Sequence, residues 1–235
     1  MKAVILAGGK GRRLEPYSTV VPKPLMPVGD MPIMEIILSK LVKSGFSEIY
    51  VACGHLAGLI KSYFNDGKKW GAKVEYSVED RELGTVGPLK LLRDKLDESF
   101  LVVNGDTLTD LDFSKIYRFH LVQGSPLTIG VVRRTIPIDF GVVKFSGERL
   151  QSYDEKPVIE YFVSMGVYVF NPYILRRIEE NVKYDFPDLV RDLLKDNLEI
   201  AIYKHDGFWL DLGRKEDFSI ASEEFEKRRK EILQE

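Results

Sequence analysis

The sequence predicts an α/β fold built on a Rossmann-like mixed, mostly parallel sheet covered by helices. Apolar runs rich in β-branched and aromatic residues recur through the first half, and amphipathic stretches alternate with them. The 235 residues are 44% hydrophobic and 30% charged, with a mean hydropathy of -0.14, which is enough apolar material to offset chain entropy and bury one sizeable core. One domain spanning 1–235 is expected. Its two halves, 1–133 and 134–235, are expected to be lobes of one sheet, because no repeat, low-complexity tract or Gly/Ser linker marks a boundary.

The strands are expected at 2–6, 48–53, 73–78, 99–104 and 127–133. In 34–43, Ile36, Ile37, Leu38, Leu41 and Val42 fall on one helical face, and Pro32 suits a first helical turn. Similar helices are expected at 57–64, 87–96 and 114–121. After Arg133 the texture changes: "DFGVVKF", "LQSYDEKP" and "EYFVSMGVYVF" read as strands joined by turns, followed by helices at 172–179 and 186–194. The charged tail 214–235 carries an apolar stripe of Phe218, Ile220, Ala221 and Phe225, so it reads as a packed helix with a frayed end.

Bulk chemistry removes several function classes. Lys and Arg total 34 against 36 for Asp and Glu, and the net charge of -2 leaves no broad basic field for nucleic acid or an anionic membrane. Any phosphate recognition must be local. The single cysteine, Cys53, excludes an internal disulfide framework or a multi-thiolate zinc site and reads as a small packed residue. The start "MKAVILAGGKG" is too short an apolar run for a signal peptide, and no segment reaches the ~20 apolar residues of a membrane span. A cytoplasmic protein is expected, and a homo-oligomer is compatible with a sequence that fixes no oligomeric state. His55, His120 and His205 are scattered and read as packing or surface residues.

The chemistry begins directly after the first strand. In "LAGGKGRRLEP", Gly8, Gly9 and Gly11 let the backbone approach a ligand and turn N–H groups toward negative oxygens. A dinucleotide fingerprint fails because Leu14 stands where a small residue is needed, and a P-loop fails because Lys10 is followed by Gly11. The first failure also argues against an NAD-dependent dehydrogenase. The following segment "RRLEPYSTVVPKPLMPVGDMPI" carries five prolines that stiffen a long connection and delivers Arg13 and Lys23 to the same strand end. Two cations beside a nest of N–H groups suit a triphosphate.

These residues resemble the opening signature of the sugar-phosphate nucleotidylyltransferases, G-G-x-G-x-R-L…P-K-P. The resemblance continues in order through "ELGTVGPL", "VNGDTL", "FGVV", "DEKP", "MGVYVF" and "GFWLDLGRKEDF", nearly the whole chain. It implies the nucleotide-diphospho-sugar transferase type of fold and transfer of a nucleoside monophosphate from an NTP to a sugar 1-phosphate, releasing pyrophosphate. It also implies the site. Leu6, Ala7, Gly8, Gly9, Gly11, Arg13 and Lys23 would bind nucleotide, and Leu83, Gly84 and Thr85 would meet the base and nearby phosphates. Asp106 in "VNGDTL" would bind magnesium, in keeping with a carboxylate at the carboxyl edge of a parallel sheet, and Asp211 in "FWLDLG" would complete the metal site.

The same resemblance assigns the second half to the sugar phosphate. Lys156 would pair with the phosphate, Glu155 would accept sugar hydroxyls and Gly141 would lie against the ring, with Asn104 and Gly166 completing the set. Arg13, Lys23, Asp106 and Lys156 would carry catalysis. Many relatives have Asn before the small residue and Gly of "MGVYVF", whereas here Ser164 and Met165 precede Gly166. The "GPL" of "LGTVGPL" resembles guanylyl-transferring members such as mannose-1-phosphate guanylyltransferases, so GTP with a hexose or heptose 1-phosphate is the expected pair. Thymidylyl, uridylyl or cytidylyl transfer, and a non-catalytic nucleotide-sugar-sensing subunit, are the alternatives. At this length no added acyltransferase or isomerase domain is expected.

Overall fold

A computed structural model of the chain describes residues 1–234. Seven strands form one sheet in the order β12-β8-β11-β6-β1-β4-β5. These are β1 (Lys2–Ala7), β4 (Glu48–Cys53), β5 (Lys73–Val78), β6 (Phe100–Asn104), β8 (Leu127–Pro137), β11 (Val158–Phe170) and β12 (Ala201–His205). Short pairs are made by β2 (Pro27–Val28) with β3 (Met31–Pro32), β7 (Thr107–Thr109) with β13 (Trp209–Asp211), and β9 (Val142–Ser146) with β10 (Arg149–Asp154). The helices are α1 (Ile33–Lys43), α2 (Ala57–Phe64), α3 (Phe113–Gln123), α4 (Phe186–Lys195) and α5 (Lys215–Leu233).

Both faces of the sheet are covered, and the alternation of side chains along each strand sorts the core in two. On one face Ala3, Ile5, Ile49, Val51, Leu101 and Val103 pack with residues of α1, α3 and α5. On the other, Val4, Tyr50, Ala52, Phe100 and Val102 pack against Leu89, Leu92, Ile174 and Leu189. Continuous burial of Ile49 through Cys53 is the signature of a strand covered on both sides.

The sheet is mixed because β11 runs antiparallel between β8 and β6, while β6, β1, β4 and β5 are parallel. That parallel set brings the ends of four strands to one edge: Leu6 lies opposite Asn104, Ala7 opposite Cys53, and Cys53 opposite Val78. Residues from both halves of the chain contribute to the same sheet.

Two expected helices are instead 3-10 turns. Residues Gly87–Leu92 coil tightly because the Val86 and Gly87 N–H groups are spent on the Tyr184 carbonyl, and Pro88 supplies no donor. Pro172–Arg176 likewise forms one short 3-10 segment opened by Asn171, whose side chain accepts from the Tyr173 N–H. The strand expected at 127–133 runs on to Pro137, pairing with Val158–Val163 beyond the body of the sheet. The expected terminal helix is α5, and of its residues 214–235 only Glu235 lies outside the described residues.

Candidate active site

A cleft of about 680 Å³ opens at the edge where the parallel strands end, the position at which open α/β sheets hold ligands. Leu6, Ala7, Gly8, Gly9, Gly11, Arg13, Lys23, Gly84, Thr85, Asn104 and Asp106 all line it. The turn after β1 needs Gly11, whose φ of +61° is left-handed and which precedes the 3-10 turn Arg12–Leu14. A side chain at Gly9 would meet nothing within 4 Å, so that backbone is open to a ligand.

At the β6 end, the Lys23 ammonium donates to Asp106 Oδ2. Asp106 Oδ1 is buried with no hydrogen-bond partner. Asp211 reaches the same place because β13 pairs with β7, setting Asp211 opposite Thr107, and the Leu212 N–H donates to the Asp106 carbonyl at 3.1 Å. A Cβ on Gly213 would lie 3.1 Å from both Asp211 Oδ2 and an Arg13 guanidinium nitrogen, so these two charges share one small space. Burial, and secondly the charge on Asp106, raise the Asp211 carboxyl above its ordinary value, while Lys23 and Arg13 oppose that shift.

Two repelling carboxylates, one with an orphaned buried oxygen, fit a divalent cation that also takes phosphate oxygens and water. Among the described residues no group of three or more His, Cys, Asp or Glu gathers as a protein-only metal cage. The donor set suits magnesium better than zinc.

The structure brings only part of the expected sugar-phosphate set to the cleft. Gly166 sits where the β11 register slips between Ser164 and Tyr168, with φ +70°, and a Cβ there would fall 2.5 Å from Asn104 Nδ2. The glycine therefore lets Asn104 lie flat against β11. Glu155 and Lys156 are exposed on the turn leaving β10, where Glu155 accepts from the Tyr153 hydroxyl at 2.7 Å and Lys156 holds a left-handed φ of +47°. Gly141 packs against the Tyr153 ring just before β9. None of these three lines the cleft, and neither do Gly166, which lies behind Asn104, Asp211, which sits beside the lining residue Gly213, or Leu83, which is 3% exposed.

Sequence reasoning missed Glu79, Asp185 and Gly213, all of which line the cleft. Asp185 clasps the 83–85 loop: its side chain accepts from the Thr85 N–H at 3.1 Å, and the Phe186 N–H donates back to the Thr85 hydroxyl at 2.8 Å. His55 also reaches the cleft, with its ring nitrogen 3.1 Å from the Ser18 carbonyl. Cys53 is buried and its thiol is pushed up to about 12 by that burial, which leaves it inert.

The family described as Nucleotidyl transferase matches residues 2–228. The chain is 34% identical over 240 residues to the UTP–glucose-1-phosphate uridylyltransferase of Synechocystis sp., covering 93% of this chain and 61% of that relative. It is 34% identical over 230 residues to the mannose-1-phosphate guanyltransferase beta-B of Xenopus laevis, covering 93% and 62%. The chain thus spans about three fifths of the length of these curated relatives. Among solved structures, HddC from Yersinia pseudotuberculosis complexed with GMP-PN superposes with a TM-score of 0.74 at 25% identity, covering 95% of this chain and 99% of that one.

Proposed function

The chain belongs to the nucleotidyl transferase family, and from that premise we propose that it joins an NTP to a sugar 1-phosphate, giving a nucleotide sugar and pyrophosphate. The observation that carries this reading is the strand-end cluster of Lys23, Arg13, Asp106 and Asp211 beside an open glycine loop. In the proposed reaction a phosphate oxygen of the sugar 1-phosphate attacks the α-phosphorus in line. The bond from that phosphorus to the bridging oxygen breaks, and pyrophosphate leaves with the electron pair.

Two polyanions must meet, so positioning and neutralisation matter more than a general base. Magnesium held by Asp106 and Asp211 would supply charge neutralisation at the transferring phosphate. Lys23 is tied to Asp106, and a cation at the carboxylate together with a phosphate at the ammonium replaces that one pair with two charge-assisted contacts. Arg13 and the N–H groups of 8–11 would hold the charge that builds on the leaving pyrophosphate. Residues 1–133 form the nucleotide half in this reading. Residues 134–235 present Glu155 and Lys156 to the sugar phosphate, which requires the exposed turn after β10 to meet a ligand bound at Asn104 and Gly166.

GTP is the proposed donor and a hexose or heptose 1-phosphate the acceptor, supported by the "LGTVGPL" segment, the guanyltransferase relative and the GMP-PN complex of HddC. The uridylyltransferase relative makes UTP the competing donor. A sensing subunit without turnover is disfavoured because Arg13, Lys23, Asp106, Asp211 and Lys156 are all present. Among the described residues no helix is long and apolar enough to cross a membrane. Pyrophosphate release across a grid of five NTPs and several sugar 1-phosphates tests the reading. GTP is expected to turn over best, and preferential use of UTP, dTTP or CTP would overturn the choice of base.

A further inference from the structure

Arg134 stands beside the transfer centre as a cation with no carboxylate partner among the described residues. Because β11 is antiparallel to both β6 and β8, those two strands run in the same direction and end toward the same edge. Tyr168 of β11 lies opposite both Val102 of β6 and Ile129 of β8, so these two residues are level. β6 stops at Asn104, two residues past that rung, while β8 runs on to Pro137. Arg134 is five residues past the rung, and so about 10 Å beyond the level of Asn104.

The Arg134 side chain is half-buried. Its guanidinium lies over the Trp209 indole, 5.0 Å from the ring centre, and Nη2–H donates to the Trp209 carbonyl at 2.8 Å. Its other N–H groups make no hydrogen bond to a described residue. The next residue back differs, since Arg133 points to the other face of the strand and pairs with Glu160 at 3.3 Å. A planar, weakly hydrated cation held on an aromatic face with free parallel donors suits a bidentate anion.

Trp209 fixes where that anion falls. It shares a strand face with Asp211, two residues on in β13 and about 7 Å away. Its indole N–H donates to the Met165 carbonyl at 2.8 Å, beside Gly166 and so behind Asn104. The charges that move the Asp211 carboxyl most are those of Asp106, Lys23, Arg13 and Asp217, which leaves Arg134 outside the centre where the phosphates meet. An acceptor with its 1-phosphate at the metal and its ring at Asn104 would turn its far end toward the Arg134 fork. A hydroxyl there would leave a partly desolvated cation without a counter-charge, whereas an anionic substituent would satisfy it.

We infer that Arg134 is a specificity-determining residue for the acceptor, and that the preferred sugar 1-phosphate carries a second anionic group, a carboxylate or a phosphoryl group, at the end of the ring away from its 1-phosphate. The inference rests on the nucleotidyl-transfer reading above and narrows its acceptor to one chemical class.

Pyrophosphate release is measured with saturating GTP, and separately with UTP, against mannose 1-phosphate, a hexuronic acid 1-phosphate and a hexose 1,6-bisphosphate. The wild type is expected to show a kcat/KM about tenfold or more higher for one of the two anionic acceptors than for mannose 1-phosphate, and which of them wins identifies the group. Arg134→Gln, checked for a cooperative melt, should lower the ratio of anionic to neutral kcat/KM by about ten- to a hundredfold. Arg134→Lys keeps the charge without the fork and should recover part of that ratio.

A wild type that favours mannose 1-phosphate overturns the inference while the enzyme reading stands. So does an equal loss for all three acceptors in Arg134→Gln, because the guanidinium would then only prop Trp209. No pyrophosphate release from any pairing at saturating magnesium sinks the transferase reading itself, and the inference with it.

Discussion

Lys23 closes on one oxygen of Asp106 and leaves the other buried without a partner, so the resting site holds a carboxylate whose second oxygen is unsatisfied. That arrangement is costly in a folded chain unless a ligand completes it. Asp106→Asn and Asp211→Asn are each expected to lower turnover by about a hundredfold or more, since a metal's several kcal/mol correspond to that at about 1.4 kcal/mol per tenfold. Steady-state rates across a magnesium titration check this, and full activity of either variant at limiting magnesium would rule out the pair as the metal site.

The raised Asp211 carboxyl has a consequence for stability. Burial, then the neighbouring Asp106 charge, makes the folded chain hold this proton more tightly than the unfolded chain does. The group's contribution is therefore full below the ordinary carboxyl range and lost as pH rises through its raised value. At neutral pH without magnesium, Asp211→Asn should melt higher than the wild type, and the gap should shrink in acid. Magnesium should stabilise the wild type and leave the variant unmoved. Thermal melts at neutral and acid pH, with and without the ion, measure all three expectations.

How far the sequence exposes this site depends on how local each signal is. Asp106 stands out because it ends an apolar run at a strand edge, and Glu79 has the same placement after Lys73–Val78. Glu79 escaped notice because the charged residues after it, through Glu82, make the segment look like an exposed loop. Asp185 has no local sign of its role, since its partner Thr85 lies 100 residues away and only the folded chain joins them. The parallel core strands are legible as apolar runs rich in β-branched and aromatic residues, whereas the 3-10 turns at 87–92 and 172–176 carry helical patterns overridden by tertiary hydrogen bonds.

Lys40 shows the same limit in the core. On α1 its charge suggests a solvent-facing position, yet it is 1% exposed under α5, donating to the Ile232 carbonyl at 2.6 Å. Burial brings its ammonium down to about 8, against the pull of Asp110 and Asp112. The unfolded chain keeps this proton to higher pH than the folded chain, so stability from this group is lost as pH falls through about 8 and is fully present above the ordinary lysine value. Relative to Lys40→Met, the wild type should gain roughly 2–3 kcal/mol between neutral pH and about pH 10. Urea unfolding of both proteins across that range checks it, and parallel pH curves would show that Lys40 does not titrate within it.

Lys23 and Lys156 offer the sharpest separation of the two ligands, because the structure gives them opposite settings. Lys23 is nearly buried against Asp106 on the proline-stiffened segment, whereas Lys156 is exposed on the turn after β10 with a left-handed backbone. Lys23→Met should weaken the NTP about ten- to a hundredfold and spare the sugar phosphate, and Lys156→Met should do the reverse, since a charged contact to phosphate is worth about 1.5–3 kcal/mol. Calorimetry with the NTP alone, then with sugar phosphate in the presence of a non-cleavable NTP analogue, reads each affinity. Lys156→Gly adds a stability readout. At φ +47° glycine relieves a backbone strain of about 1 kcal/mol, so this variant should unfold at slightly higher denaturant while losing the sugar phosphate as fully as Lys156→Met. Strain kept at a functional residue accounts for that combination. If Lys156→Met instead weakens the NTP and leaves the sugar phosphate unchanged, the second half of the chain does not hold the acceptor.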